Sequence, residues 1–389
     1  MFRTYKYLLR PTIQQAQALN FLLWQSRLIY NQALEQRIQA YQETGQGIAY
    51  HAQWTYFRDL RRANPETLGL LNASSLQQLL RRLDKAFQSF FRRLKAGDTP
   101  GFPRFKGRNR FKSIEYTYGD GCKLRTCPRG QRYVYLQNVG EVRMCFHRDI
   151  PQGAQIKHVV IQCINQRWYA CLMLELPAVQ GVHAKPEQAV GVDLGLFHLL
   201  ALSDHQVVDH PRWLRQSLAR LRILQRQASR RQKGSQRQRK SYAAIARLHE
   251  HIANQRRDCL HKITAFLVHA YSWIAIEELS LAFMNQNVHL SLSSHDAGLG
   301  EFRQLLQYKA EEAGAEVVAV NPAYTSQRCS GCGEIVEKSL SIRVHECPTC
   351  GLVLDRDVNA ARNILNLALD NPPGRGGQER TWPTGACVS

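Results

Sequence analysis

Residues 328–365, RCSGCGEIVEKSLSIRVHECPTCGLVLDRDVNAARNIL, set two Cys-x2-Cys knuckles immediately before an acidic helix start. Cys329, Cys332, Cys347 and Cys350 have the spacing of a closed metal site: each knuckle aims two thiolates at one ion, and the second knuckle completes a tetrahedron. Gly331, Gly333, Pro348 and Gly351 provide the tight turns. Four packed cysteines with coincidental spacing are the alternative. A four-thiolate site has no open position, so its zinc is expected to be structural, and any chemistry must lie elsewhere. In the following LDRDVNAARNIL, Asp355 occupies an N-cap position from which it could accept the backbone N–H of Asp357 or Val358. Asp357 then falls in the first turn, and Asn359, Ala360 and Ala361 keep that turn small enough to lie close against a sheet. Two aspartates that merely match the helix dipole would carry no function.

Further acids stand upstream in apolar surroundings. AVGVDLGLFHLLALS (189–203) puts Asp193 in the middle of an apolar strand, where an unpaired carboxylate is costly and needs a cation or a dense set of donors. A turn-capping aspartate before Gly195 is the competing reading. WIAIEELS (273–280) ends a second apolar strand in carboxylates. Strand alternation puts Ile274 and Ile276 on one face, Ala275 and Glu277 on the other, and Glu278 at the start of the exit loop. Ordinary loop glutamates are the alternative. A strand aspartate, a strand-end glutamate and a helix-start aspartate together suit divalent magnesium, a hard cation that takes oxygen ligands. A pair of such ions can activate water and stabilise the leaving oxygen in phosphodiester cleavage.

The chain's totals agree with a polyanionic substrate. Its 389 residues suffice for two or three domains, and 52 Lys and Arg against 31 Asp and Glu leave a formal charge of +21. MFRTYKYLLRPTIQQ has no continuous apolar stretch of the secretory kind, and the longest apolar run, near LGLFHLLAL, is too short for a membrane span. A cytoplasmic protein without membrane association is expected, with its remaining cysteines (122, 127, 145, 163, 171, 259, 387) as reduced thiols.

Outward from the two acidic strands, the pattern predicts an α/β multidomain chain. A short strand at 1–9 precedes a helical region from 12 to 97, in which NASSLQQLLRRLDKAFQSFFRRLKAG opens on capping residues and closes at Gly97. An aromatic and basic loop follows, then strands up to about 176, including RYVYLQ, EVRMCFH, IKHVVIQCI and RWYACLML. Residues 189–209 read as two strands around a tight turn. Residues 212–270 read as a helical hairpin with its tip in QKGSQRQRK, and the twelve Arg and Lys between 212 and 249 face no acid in sequence. A helix near 299–313 and a strand AEVVAV precede the knuckles. The Pro- and Gly-rich stretch 370–389 is expected to be disordered.

GVDLG, IAIEEL, the four-cysteine insertion and DRDVNAARNIL, in that order, resemble the RuvC motifs and zinc finger of TnpB proteins, transposon-encoded relatives of type V CRISPR effector nucleases. PRFKGRNRFKSIEY, GEVRMCFHRDIPQGAQIKHVVI and LHEHIANQRRDCLHKIT are also similar to that family, so the resemblance spans residues 1 to about 369. It implies an RNase-H-like nuclease domain at 181–324 and 352–369, carrying the basic hairpin 212–270, with the four-Cys zinc finger inserted at 325–351. A β-rich wedge domain (1–11 and 98–180) and a helical recognition domain (12–97) complete the expected architecture. Asp193, Glu277 and Asp357 become the catalytic magnesium ligands (manganese is possible), with Asp355 in support. Many relatives carry Glu-Asp or Glu-Asn at 277–278, so the ligand role is open between Glu277 and Glu278.

The resemblance further implies a guide RNA from the transposon end, one protein monomer per RNA, and a double-stranded DNA target flanked by a short recognition motif in a prokaryotic nucleoid. Base pairing would read the target and the protein the flanking motif. Gln77 and Gln78 become candidates for base contacts, since amides pair bidentately with adenine; a solvated helix face is the alternative. Arg226, Arg230, Arg231, Lys233, Arg237, Arg239 and Lys240 are expected along a nucleic-acid backbone, as are Arg104 and Lys106. Phe102, Phe105 and Phe111 read as stacking platforms or core, with at least two in the core. The competing function is a non-cleaving nucleic-acid-binding repressor or transposition regulator. A strand-joining transposase is disfavoured, because the zinc insertion and arginine-rich hairpin match TnpB better.

Overall fold

A computed structural model describes residues 2–108, 110–177, 188–278, 288–339 and 342–370. The chain divides into two compact units, Met1–Ala178 and Val179–Ser389. Most of the expected linker, all of the tail beyond Asp370, and Cys387 lie outside the described residues.

The first unit is built on a seven-stranded antiparallel sheet. Its strands are β1 (Phe2–Arg10), β2 (Ser113–Thr117), β3 (Cys122–Thr126), β4 (Arg132–Leu136), β5 (Gly140–Cys145), β6 (Gln155–Ile164) and β7 (Arg167–Glu175), in the order β2-β6-β7-β1-β5-β4-β3. β1 is central, and its alternation buries Tyr5, Tyr7 and Leu9 on one face. Three helices follow β1: α1 (Ile13–Thr44), α2 (Tyr50–Ala63) and α3 (Ala73–Lys95). α1 opens on a capping box between Thr12 and Gln15. As expected, Asn72 caps α3, accepting the amides of Ser74 and Ser75, and Gly97 follows its end at φ +73°. The buried Arg37 of α1 ties the helices together, donating to Gln53 of α2 at 2.7 Å and Asp84 of α3 at 3.1 Å. Strands and helices share one hydrophobic cluster, from Tyr7 through Leu34, Leu80 and Phe57 to Leu172.

The second unit centres on a mixed five-stranded sheet of β8 (Ala189–Asp193), β9 (His198–Leu202), β10 (Val207–Asp209), β11 (Trp273–Glu277) and β12 (Glu316–Val320), in the order β10-β9-β8-β11-β12. β8, β11 and β12 are parallel, whereas β9 and β10 are antiparallel. This is the mixed sheet expected of an RNase-H-like domain. A basic hairpin of α4 (Trp213–Ser229) and α5 (Gln236–Ala270), then α6 (Val288–Ala297) and α7 (Leu299–Ala313), complete the part before the cysteines. The short strands β13 (Val344–Glu346) and β14 (Val353–Asp355) pair beside the knuckles, and α8 (Arg356–Asp370) ends the unit.

Several local expectations need correction. Residues 189–209 hold three strands rather than two, and Asp193 is the last residue of β8 rather than its middle, because Gly195 packs against the carbonyl of His198 and turns the chain. The hairpin tip is residues 230–235; Ser235 caps α5 by accepting the Gln238 amide, so residues 236–240 are already helical. Helix α6 has no clear apolar period in its sequence. Its buried Asp296 accepts the amide of Leu214 at 2.9 Å, capping α4 from outside where Arg212, at φ +54°, provides no side-chain cap.

Gly191 sets the closeness of α8. A Cβ there would lie 2.0 Å from the Ala361 carbonyl oxygen and 2.8 Å from the Leu365 amide. Ala360 and Ala361 are buried against the same sheet. Gly191→Val should therefore lift α8, costing about 3 kcal/mol or more as an overpacked site. Thermal melting of the full chain checks this, and an unchanged Tm would contradict the packing.

Candidate active site

Alternation decides which side chains reach α8. Val190, Val192, Ile274 and Ile276 point into the cluster beneath α5 and α7, while Trp273 and Ala275 pack with Ile364 and Ala368 of α8. Gly191 lies under α8, so Asp193, two residues on, shares its face, and Glu277 shares the face of Ala275. The register pairs Ile276 with Val192, which leaves Asp193 and Glu277 at the ends of adjacent parallel strands, a spacing of about 5 Å. The start of α8 adds Asp357 to the same end. Asp355 caps that start: its Oδ1 accepts the amides of Asp357 at 2.8 Å and Val358 at 3.2 Å. Glu278 is exposed in the exit loop, whereas Glu277 is buried.

Burial raises the pKa of all three carboxyls, and neighbouring carboxylates add to it at Asp193 and Asp357. Asp193 keeps a partial opening to solvent, yet burial, then Glu277 and Asp357, drive its pKa well above the ordinary carboxylate range. Burial raises Glu277, opposed by the hydroxyl of Thr325, which donates to Glu277 Oε1. Burial and Asp355 raise Asp357, opposed by Arg343, His198 and Arg356. Arg356 is the sequence neighbour of Asp357, and the fold brings Arg343 and His198 near it as well. Converging carboxylates that resist ionisation together, offering only oxygen donors, fit a hard divalent cation.

The sign of the pH dependence follows. Carboxyls whose folded pKa is raised stabilise the fold fully below the ordinary carboxylate range, and that contribution is lost as pH rises through the raised values. Without divalent ions, wild type should lose more Tm between pH 5 and pH 8 than Asp193→Asn, each tenfold of proton affinity being worth about 1.4 kcal/mol. Equal losses in the two proteins would contradict the crowding of charge at this end of the sheet.

The four cysteine sulfurs lie within 4.8 Å of one another, with Cys329–Cys350 and Cys332–Cys347 at 3.6 Å. A tetrahedron with metal–sulfur bonds of about 2.3 Å has edges of about 3.8 Å, so the cluster has metal-ligand geometry. Amides of the second knuckle, Cys350 first and then Thr349, pull the Cys347 thiol down to about 6, favouring the thiolate. Val344 of β13 pairs with Asp355, and the Arg356 amide donates to the Arg343 carbonyl at 2.7 Å. The knuckle strand thus holds the residue that caps α8.

α8 holds the first knuckle in return. The fully buried Asn359 donates to the Arg328 carbonyl at 2.8 Å and accepts the Ser330 amide at 2.9 Å, on either side of Cys329. One turn later Asn363 donates to the carbonyls of Thr325 and Arg328. A loop carrying Thr325 therefore links Glu277, the cysteines and the helix of Asp357. Sequence reasoning missed Thr325 and Asn363, and read Asn359 only as small. The i, i+4 spacing of the asparagines was the available signal.

The expected nucleic-acid contacts fall outside this site. Gln77 and Gln78 are half-buried on α3. Arg104 is exposed, while Lys106 lies over the Tyr30 ring at 5.5 Å. Arg226, Arg230, Lys233, Arg237, Arg239 and Lys240 are exposed along the hairpin. Arg231 differs: its guanidinium donates to the Arg237 carbonyl and Ser241 hydroxyl, both at 2.6 Å, and closes the tip. Of the three phenylalanines only Phe111 is core. Phe105 is exposed, and Phe102 is half exposed, edge-on to Phe87 and Phe90, because the loop's Pro and Gly residues hold it at the surface. Among the described residues no helix is long and apolar enough to cross a membrane.

Three family models match the chain: a helix-turn-helix domain over residues 1–46, a probable transposase over 176–288, and a Cas12f1-like TNB domain over 300–364. Residues 2–44 form one strand and one long helix rather than a helix-turn-helix. A "Putative RNA-guided DNA endonuclease" of Streptomyces pristinaespiralis is 32% identical over 379 residues, covering 94% of this chain and 89% of that protein. "Putative RNA-guided DNA endonuclease InsQ" of Escherichia coli (strain K12) is 33% identical over 381 residues, covering 93% and 91%. Among solved structures, a Cas12f1 chain bound to guide RNA and target DNA superposes with a TM-score of 0.64 at 18% identity, covering 91% of this chain and 82% of that one. That match supports the fold.

Proposed function

Since the chain belongs to the TnpB family of RNA-guided DNA endonucleases, we propose that it cleaves DNA with Asp193, Glu277 and Asp357 as ligands of divalent magnesium. The observation that carries this reading is the meeting of Asp193 and Glu277, at neighbouring strand ends, with Asp357 in the first turn of α8, all three with raised pKa values. Magnesium, when bound, supplies an activated water and charge for the leaving oxygen; manganese suits the same donors. Asp193 and Glu277 present oxygens from neighbouring strand ends, and Thr325 orients Glu277. Asp355 fixes the backbone from which Asp357 projects. Zinc is the ion that suits the four cysteines, whose role is to hold that backbone.

RNA and DNA are the partners. The exposed cations of the hairpin suit an RNA or heteroduplex backbone, and Gln77 and Gln78 suit edge contacts in a short target-adjacent motif. We assign the strands of 1–11 and 98–180 to a wedge, residues 12–97 to target recognition, and 181–324 with 352–369 to the nuclease. The guide is expected to derive from the transposon end, with one protein per RNA acting at the nucleoid. Purifying the protein from cells carrying its locus and sequencing the bound RNA tests this. One dominant species, with a fixed scaffold and an end matching DNA beside the element, is expected; a random sample of cellular RNA would overturn it.

A further inference from the structure

We infer that a cleft in the first unit, between α1 and the β6–β7 turn, is a stacking site for an unpaired nucleotide of the guide RNA. The inference deepens the reading of the chain as RNA-guided. The cleft has a volume of about 580 Å³, within the range of small-ligand sites. Phe21, Trp24 and Arg27 line one wall, and they share one helix face. Phe21 and Trp24 are tilted at 43° with centroids 5.7 Å apart, and Trp24 is 45% exposed, an open ring face of the kind that stacks a base. Phe111 forms the floor, and the exposed Lys112 stands beside it, anchored where its carbonyl accepts the Cys163 amide at 2.8 Å. Arg27 donates through Nη1 to the Lys106 carbonyl at 3.4 Å, while its buried Nε has no hydrogen-bond partner in the described structure.

The opposite wall is a strained turn. Asn165 and Gln166 both have positive φ, +49° and +65°. Two-residue hairpins of this hand favour Asn-Gly, so a glutamine at the second position keeps an amide on the cleft at the expense of backbone comfort. Strain of this kind is found at ligand sites. An aromatic pair, three cations (Arg27, Arg108 and Lys112) and an amide rim are the chemistry of single-strand recognition: rings stack the base, cations hold phosphate, and amides reach base edges and the ribose hydroxyl. The cleft faces no carboxylate among its lining residues, which suits a phosphate-bearing occupant.

The test uses the full chain purified with its RNA from cells carrying its locus. Ultraviolet cross-linking and peptide mapping should place an RNA adduct at Phe21 or Trp24. The double variant Phe21→Ala, Trp24→Ala should bind that RNA about tenfold or more weakly, and Trp24→Phe within about twofold of wild type. Gln166→Gly should raise the melting temperature while weakening RNA binding, which separates recognition from a folding defect. Unchanged RNA affinity in the double variant, adducts confined to other peptides, or an effect on DNA binding alone would overturn the cleft assignment. If wild type carries no defined RNA, the guided reading and this site fail together; if it does and the variant binds it equally, only the site fails.

Discussion

Asp193→Asn is expected to lower DNA cleavage about a thousandfold or more while leaving guide RNA and matched DNA bound. The substitution keeps the shape of the side chain, so β8 and the seat of α8 are undisturbed. It removes one anionic ligand from a set that, with the metal, acts as a unit, and losses at such units are large. The same change removes the cost of ionising a carboxyl that burial, then the charges of Glu277 and Asp357, hold well above the ordinary range. The variant should therefore melt at a higher temperature than wild type at neutral pH without divalent ions, and magnesium should raise its Tm less. Loss of activity with gain of stability marks a site built for a bound cation. A variant that loses both would point to a structural carboxylate.

Removal of zinc should have the second-largest effect. Structural zinc sites contribute on the order of 10–16 kcal/mol of apparent binding energy to small domains. Here the knuckles share backbone with the carboxylate end of the sheet: β13 pairs with β14 through Val344 and Asp355, and Asn359 grips both sides of Cys329. Cys329→Ser, or chelation, should unseat the cap on Asp357 and reduce cleavage about ten- to a hundredfold, on the scale of lost supporting interactions at metal sites. Readded zinc should restore the chelated wild type, and excess magnesium should not. Full activity after complete zinc loss, measured by metal analysis beside the cleavage assay, would contradict the coupling.

The sheet and its acids were largely legible because each acid closes a continuous apolar run, the mark of a strand buried on both faces. VGVDLG and WIAIEE mark buried strands, and the order of motifs identifies the family. The supporting residues were less so. Thr325 lies in a loop with no periodicity, and its value arises only when Glu277 folds back on it. Gly191 reads as an ordinary small residue until α8 lies on it. Helix α6 has no apolar stripe, being held partly through Asp296. Phe102 and Phe105 show the opposite failure: aromatic residues invite a core assignment, but the loop keeps them outside. Composition cannot distinguish Arg231, which locks the hairpin tip, from the exposed cations around it.

The central claim is that the guide directs, and the three carboxyls execute, a cut in DNA. The most direct measurement is cleavage of two plasmids, differing only in target sequence, by the protein carrying guides matched to one or the other in magnesium. The account predicts that each guide cuts its own plasmid, that exchanging guides exchanges the products, and that Asp193→Asn or chelation of magnesium leaves both intact. Guide-dependent binding without any cut in wild type would contradict it and identify a non-cleaving regulator of the same fold.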